Sequence, residues 1–312
     1  LSELHATAAT RRRVALLPEN GLTDALAKAV REGGCEVTSD ISLAEGLIWC
    51  TPSPQGLEAA IQAGTNLAWI QLPFAGIEGF VPLLSNDQVW TAAKGVYGPP
   101  VAEFALALIL AGLRRVATFA RASSWKSFEQ TTLFDSKVTI LGGGGIAESL
   151  VALLAPFCCD VVVVRRSDAP LDGARVVAPS RLPEAIEGAA AVVLALPLTP
   201  ETKGLVDTEF LALMDSGAWL VNVARGGIVV TADLLTALQN RTIGGAALDV
   251  TDPEPLPDGH PLWDLDNCII APHAANTFQL GTHRLVARVQ ENARRFQAGE
   301  PLLGRVDVVA GY

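Results

Sequence analysis

The chain has 312 residues, half of them hydrophobic and 18% charged, with a formal net charge of −10. Roughly 150 residues make a domain, so this length predicts two, and the apolar fraction predicts compact units with large cores. The acidic balance argues against a nucleic-acid surface or an anionic membrane as partner, whereas a few local cations suffice to hold an anionic small molecule.

Five cysteines, Cys35, Cys50, Cys158, Cys159 and Cys268, show no metal-ligand spacing. They read as reduced thiols of a cytoplasmic protein, most of them small core residues, and no metal is expected. The first residues, LSELHATAATRRR, lack the apolar stretch of a secretory signal. The longest apolar run, 104–113, is far below the ~20 residues a membrane span needs.

In chain order, β-branched and aromatic runs alternate with helical patterns. RVALLP (13–18) is followed by a helix near 22–33, GLIWC (46–50) by a helix near 55–64, and then come LAWIQLP (67–73) and QVWTAA (88–93). Such alternation predicts a parallel sheet with helices on both faces. A long apolar helix is expected from Pro99–Pro100 to about Phe119, and its all-round apolarity predicts burial between lobes or subunits. The polar stretch 120–136 reads as a connector. A second series follows: KVTIL (137–141), DVVVV (160–164), AAVVLALP (190–197), AWLVNV (218–223), AALDV (246–250) and NCIIAP (267–272), with helices near 207–214 and 231–240. The segment 279–298 is helical in pattern, and the terminal GRVDVVAGY is expected on the surface. Two doubly wound α/β units result. Ligands of open parallel sheets bind beyond the carboxyl ends of the strands, and Pro197, Arg225, Asp249 and His273 each fall at or just past such an end.

Between KVTIL and the next helix lies Gly142-x-Gly144-x-x-Ala147. Gly142 permits a tight turn, Gly144 admits a pyrophosphate to the backbone, and the methyl of Ala147 still allows close helix–strand packing. Free amides at the helix start favour phosphate. The second strand of this series ends in Val164-Arg165-Arg166-Ser167. An acidic residue there would bind the ribose hydroxyls of NAD, but Arg165 takes its place. A guanidinium attracts a 2′-phosphate that a carboxylate would repel. At ~4 Å and an effective dielectric near 20, one charge pair is worth on the order of 4 kcal/mol, so the sign decides. The expected cofactor is NADP(H), with Arg165, Arg166 and Ser167 around the 2′-phosphate and NAD(H) as second choice. Two solvated arginines at a strand end are the simpler alternative.

Arg225 in NVARG, Glu254 in DPEP and His273 in APHAA carry the chemistry. Reduction of a 2-keto acid needs a cation to hold the carboxylate and polarise the ketone, and Arg is permanently charged and bidentate. It needs a proton donor for the developing alkoxide, and imidazole titrates near the working pH. A neighbouring carboxylate favours the imidazolium form of that donor. Singly, each residue has a bland reading: a structural histidine, a surface arginine, a turn glutamate. His5, His260 and His283 lack such a context and read as structural.

GGGGIA (142–147), LPLTPETKGLV (196–206), NVARGGIV (222–229), AALDVTDPEPLP (246–257), HPLW (260–263) and APHAA (271–275) resemble, in order and spacing, the motifs of the D-isomer-specific 2-hydroxyacid dehydrogenase family. The resemblance extends over essentially the whole chain, more weakly before Gly95. It implies a Rossmann cofactor domain over 99–277 and a flavodoxin-like substrate domain built from 1–98 and 278–312. It implies that Arg225, Glu254 and His273 are the catalytic three. Asp249 would meet the nicotinamide carboxamide, Gly145 and Ile146 the pyrophosphate, and Pro197, Thr202, Val223, Ala224 and Ala275 would line the cofactor. Backbone amides of Ala75, Gly76 and Ile77 would bind the substrate carboxylate beside Arg225 and His273. Family members are usually homodimers held by the helix after Pro100. Tyr97 stands where many members have asparagine, and with Phe74 and Trp263 it leaves the substrate pocket open.

The expected function is NADPH-dependent reduction of a small 2-keto acid, glyoxylate or hydroxypyruvate in kind, to a D-2-hydroxy acid. The alternative from another class is a nucleotide-sensing regulator of corepressor type, which would keep the same residues without significant turnover. A formate dehydrogenase ranks low, because that branch places glutamine where Pro272 precedes the histidine.

Overall fold

The structure is a computed structural model and describes residues 10–309 and 311. His5 lies outside them. The chain divides into two compact units, Leu1–Val96 with Phe278–Tyr312, and Tyr97–Thr277.

The first unit opens with β1 (Arg13–Leu17), α1 (Thr23–Glu32), β2 (Glu36–Val37), β3 (Gly46–Trp49), α2 (Leu57–Ala63), β4 (Trp69–Gln71) and β5 (Val89–Thr91). The second holds α3 (Gly98–Leu113), α4 (Val116–Ala120), β6 (Lys137–Leu141), α5 (Gly145–Leu154), β7 (Asp160–Val164), β8 (Arg175–Val177), α6 (Leu182–Ile186), β9 (Ala189–Leu194), α7 (Thr208–Ala212), β10 (Trp219–Asn222), α8 (Thr231–Gln239), β11 (Gly245–Leu248) and β12 (Cys268–Ile270). The last helix, α9 (Phe278–Ala298), returns to the first unit.

The first sheet has the order β2-β1-β3-β4-β5, with every named pair parallel. This is the flavodoxin-like winding. Its core gathers Leu47, Ile70, Leu72, Trp90 and Phe80. Helix α9 buries Leu285, Val289, Ala293 and Phe296, one face at helical spacing, and Phe296 meets Trp69 at 5.1 Å between ring centroids. The second sheet has the order β12-β11-β10-β9-β6-β7-β8, again parallel throughout. Reading outward from β6, this is the Rossmann winding with one added strand. Parallel strands are covered on both faces and so read as unbroken apolar runs; Val161–Val164 of β7 are all buried. The two α/β sheets of the sequence reading are thus present.

Two expectations are corrected. The apolar helix does not run on to Phe119. It stops at Leu113, Arg115 takes a left-handed φ of 52°, and α4 restarts at Val116. The tail is not wholly superficial. Arg305 bridges antiparallel to Thr91, the Val306 amide donates to Trp90 O at 2.9 Å, and Val306 joins the core. An edge strand with unpaired backbone groups is covered this way. Most of the cysteines are core residues as expected: Cys35, Cys50 and Cys268 are buried, Cys159 is half-buried and Cys158 exposed. Burial pushes the thiols of Cys35, Cys50 and Cys159 up to about 11 and that of Cys268 to about 12, so all four stay protonated and unreactive at neutral pH. Among the described residues, no helix is long and apolar enough to cross a membrane.

Helix α3 packs against the second sheet and α5, while Phe104, Leu106 and Leu110 remain half-buried. Gly112 makes that contact possible: a Cβ there would stand 2.5 Å from Cδ2 of Trp219. Trp219 cannot yield, since a Cβ on Gly245 would crowd its other side at 2.5 Å from Cζ2. Gly112→Ala would gain up to about 1 kcal/mol of helix propensity but lose about 1–3 kcal/mol by overpacking. The expected outcome is a lower denaturant midpoint at unchanged m-value; a midpoint at or above wild type would refute it.

Candidate active site

The glycine turn forms where β6 meets the switch in strand order. Gly142 has φ 113°, a left-handed value that favours glycine, and a Cβ there would overlap the carbonyl of Ala195 and reach within 3.0 Å of Leu196 N. Gly144 caps α5, and a Cβ on it would meet nothing within 4 Å. Space is therefore open beside the first-turn amides of a ten-residue helix that begins at Gly145 and Ile146. The turn thus fits a dinucleotide pyrophosphate. Ala147 is fully buried, and its methyl is simply part of the core. A close approach that sequence reading missed is at Gly98, where a Cβ would lie 2.7 Å from the carbonyl carbon of Gly145. The bare residue lets the start of α3 abut the start of α5.

Arg165 does not extend outward. Its side chain lies across the turn: Nη1 donates to Gly143 O at 3.3 Å and Nη2 to Ala169 O. A Cβ on Gly143 would fall on Cδ of Arg165, so the second glycine of the run is matched to this arginine. Nε is buried without a hydrogen-bond partner among the described residues. Arg166 and Ser167 are exposed beyond it. On the far side of β6, the loop after β9 is closed by Thr202, whose hydroxyl donates to Pro197 O at 2.7 Å and accepts the Thr199 amide at 2.8 Å. The Thr199 hydroxyl, followed by backbone and Arg166, holds the Glu201 carboxyl below the usual carboxylate range. Arg166 and this loop therefore flank the glycine turn.

The next strands supply the polar groups. Beyond β10, Val223 and Ala224 are buried, and Arg225 is extended at φ −145° with Nη1 donating to Ala224 O at 2.7 Å. Beyond β11, Asp249 is 2% exposed. Its Oδ1 accepts the amides of Ala274 at 2.7 Å and Ala275 at 3.1 Å. Burial pushes its carboxyl up, and those two amides pull it part of the way back. Asp249 thus braces the turn after β12. In that turn His273 has φ 52°, with its amide donating to Asp249 O at 2.8 Å. Non-glycine residues seldom adopt this region, although histidine does so more than most. The result is a ring placed against Glu254: Nδ1 lies 2.7 Å from Oε1. The pair is half-exposed at the carboxyl end of the sheet. With Nδ1 engaged, Nε2 is the ring nitrogen left for a reacting oxygen.

Two residues absent from the sequence reading hold these pieces. The Asn222 side chain ties down the segment 224–225. Gly226 lets that segment run against Thr251 and Asp252, since a Cβ on it would overlap Thr251 O. Neither contact leaves a local signature. Ala75, Gly76 and Ile77 follow β4 in the first unit; Ala75 is exposed and Ile77 buried. His260 is structural: its Nδ1 accepts the Leu262 amide at 3.3 Å. His283 lies on α9. Trp263 donates Nε1 to Pro257 O at 3.1 Å and is 45% exposed.

The family model described as D-isomer specific 2-hydroxyacid dehydrogenase, NAD binding domain, matches residues 105–275. An uncharacterized protein in the proB 3′ region of Corynebacterium melassecola is 39% identical over 303 residues, 93% of this chain and 97% of that protein. Glyoxylate/hydroxypyruvate reductase A of Serratia proteamaculans (strain 568) is 31% identical over 237 residues, 74% of this chain and 73% of its own. Among solved structures, a D-isomer specific 2-hydroxyacid dehydrogenase from Xanthobacter autotrophicus Py2, in complex with NADPH and MES, superposes with a TM-score of 0.84 at 31% identity, covering 97% of this chain and 100% of that one. The matched segment runs from α3 through the glycine turn to the His273 turn, and on it the chain belongs to the D-isomer-specific 2-hydroxyacid dehydrogenase family.

Proposed function

We propose that this enzyme reduces a small 2-keto acid of the glyoxylate or hydroxypyruvate kind to the D-2-hydroxy acid, with NADPH preferred over NADH. The observation that carries the reading is the 2.7 Å pairing of His273 Nδ1 with Glu254 at the carboxyl end of the second sheet, on the same edge as Arg225 and the glycine turn. The names of the Serratia relative and of the NADPH-bound Xanthobacter structure support the substrate and cofactor classes.

The second unit carries the cofactor, and the first carries the carboxylate loop of Ala75, Gly76 and Ile77. Gly142, Gly144, Gly145 and Ile146 would hold the pyrophosphate, and Arg165, Arg166 and Ser167 the 2′-phosphate. Pro197, Thr202, Val223, Ala224, Asp249 and Ala275 would surround the remainder. When bound, the nicotinamide supplies a hydride. Arg225 binds the substrate carboxylate and draws charge toward the ketone oxygen. His273 holds a proton at Nε2 and gives it to that oxygen. Glu254 fixes the ring through Nδ1 and balances its positive charge. The protein works as a homodimer through the α3 face, in the reducing cytoplasm that its free thiols suit.

A panel of 2-keto acids with each cofactor tests this. Turnover of glyoxylate or hydroxypyruvate is expected, with kcat/KM for NADPH at least about tenfold above NADH, equivalent to about 1.4 kcal/mol. An NADH preference would overturn the role given to Arg165. Absence of turnover with every acid is the outcome a nucleotide-sensing regulator would give.

A further inference from the structure

Strand β10 ends at Asn222, and the chain then leaves the sheet. The last ladder bonds are Asp249 N to Asn222 O at 2.9 Å on one side and Val223 N to Leu194 O, already stretched to 3.4 Å, on the other. From there to Arg225 no strand holds the backbone. Asn222 itself has no solvent exposure. Its side chain turns along the departing segment: Oδ1 accepts the Ala224 amide at 3.0 Å, and Nδ2 donates to the Arg225 carbonyl at 3.0 Å. The Arg225 carbonyl also receives the Ile228 amide, more weakly at 3.3 Å. One side chain thus supplies an acceptor to the Ala224 amide and a donor to the Arg225 carbonyl, the two ends of the segment that carries the guanidinium. Only a carboxamide offers both at this length without charge. Aspartate would set a carboxylate oxygen against the Arg225 carbonyl, and leucine would leave the Ala224 amide unmet.

We infer that Asn222 is a positioning residue for Arg225: its buried carboxamide fixes the backbone from which the guanidinium meets the substrate. The inference rests on the role proposed for Arg225 and goes beyond it. A cation that must hold a carboxylate and polarise a carbonyl works only within a narrow geometry, and displacement by about 1 Å can cost on the order of 10²-fold in rate. Asn222 touches neither the glycine turn nor the His273–Glu254 pair in any contact described above. Its carboxamide does hold Ala224, which would line the cofactor, but none of its bonds reaches the phosphate-binding groups, so its loss is expected to fall far more on keto-acid binding than on cofactor binding.

The test uses the full chain with glyoxylate and NADPH, in Asn222→Ala, Arg225→Ala and the double variant. Asn222→Ala is expected to lower kcat/KM for the keto acid by about 30–100-fold, mainly through a raised KM, with the NADPH Kd from fluorescence titration within threefold of wild type. In the Arg225→Ala background it is expected to cost less than twofold more, because a residue acting through another shows no separate effect once that other is gone. Full additivity, or an NADPH Kd weakened as much as the keto-acid KM, overturns the inference. Asn222→Ser keeps an acceptor for the Ala224 amide and loses the tie to Arg225, so it serves if the alanine variant does not fold. A keto-acid KM at least tenfold above wild type supports the inference, and a smaller change overturns it. The underlying reading fails separately: if Arg225→Ala alone retains wild-type kcat/KM, Arg225 is not the substrate's cation, whatever Asn222 does.

Discussion

His273→Ala is expected to lower kcat by a factor of about 10²–10⁴, the usual loss for an acid–base group, while NADPH still binds. The structure explains why the two effects separate. The turn that carries His273 is built from main-chain bonds. Its own amide donates to Asp249 O, and the amides of Ala274 and Ala275 donate to the Asp249 carboxylate. None of these needs the imidazole. The φ of 52° is strained for any residue with a Cβ, though less so for histidine, so the exchange for alanine adds only a modest backbone strain. What disappears is the ring between Glu254 and the reacting oxygen, and with it the proton. Steady-state kinetics beside a fluorescence titration of NADPH measure both quantities. Unchanged turnover would remove His273 from the mechanism.

The strands were legible where composition alone dictates them. Asp160–Val164 is β-branched after its first residue, and a strand covered on both faces needs nothing else. Strands β2 and β8 were not legible. They have two and three residues, and their extended form is set by pairing with β1 and β7. The break at Arg114–Arg115 was hidden because the apolar pattern resumes in α4 on the far side of one left-handed residue. In the site, Arg225, Glu254 and His273 stood out because each polar group follows an apolar run, and the structure brings the last two into direct contact. The position of Arg165 could not be read, since charge pattern says where an arginine is but not that it folds over Gly143. Gly98, Asn222 and Gly226 were missed for a related reason. Gly98 and Gly226 meet backbone far away in sequence, and Asn222 acts through a side-chain rotamer that spacing does not encode. Periodicity reports what a segment is, and only the folded chain reports what lies opposite it.

Gly226→Ala is expected to damage both stability and turnover, and the neighbouring Gly227→Ala to damage neither. A Cβ on Gly226 would overlap the carbonyl group of Thr251 and stand 2.7 Å from Asp252 N. These are backbone atoms, with no flexible end to swing away. Either the segment bearing Arg225 or the one leading from Thr251 to Glu254 must shift. Overpacking usually costs about 1–3 kcal/mol, and a clash with backbone, which has no side-chain freedom to relieve it, belongs near the top of that range. For a unit of this size, about 3 kcal/mol corresponds to a Tm lower by on the order of 6–12 °C. A displacement of about 1 Å between the guanidinium and the imidazole pair would lower kcat/KM by on the order of 10²-fold. At Gly227 the nearest atom to a new Cβ is Cδ2 of Leu198 at 3.4 Å, an ordinary contact with a side chain able to adjust. The two substitutions are chemically identical and one residue apart, so helix propensity and unfolded-chain entropy differ little between them. Thermal melts and keto-acid kinetics on the pair therefore isolate the approach of the two segments. Equal behaviour of the two variants would mean that the Arg225 segment is not held in place by its passage against Thr251.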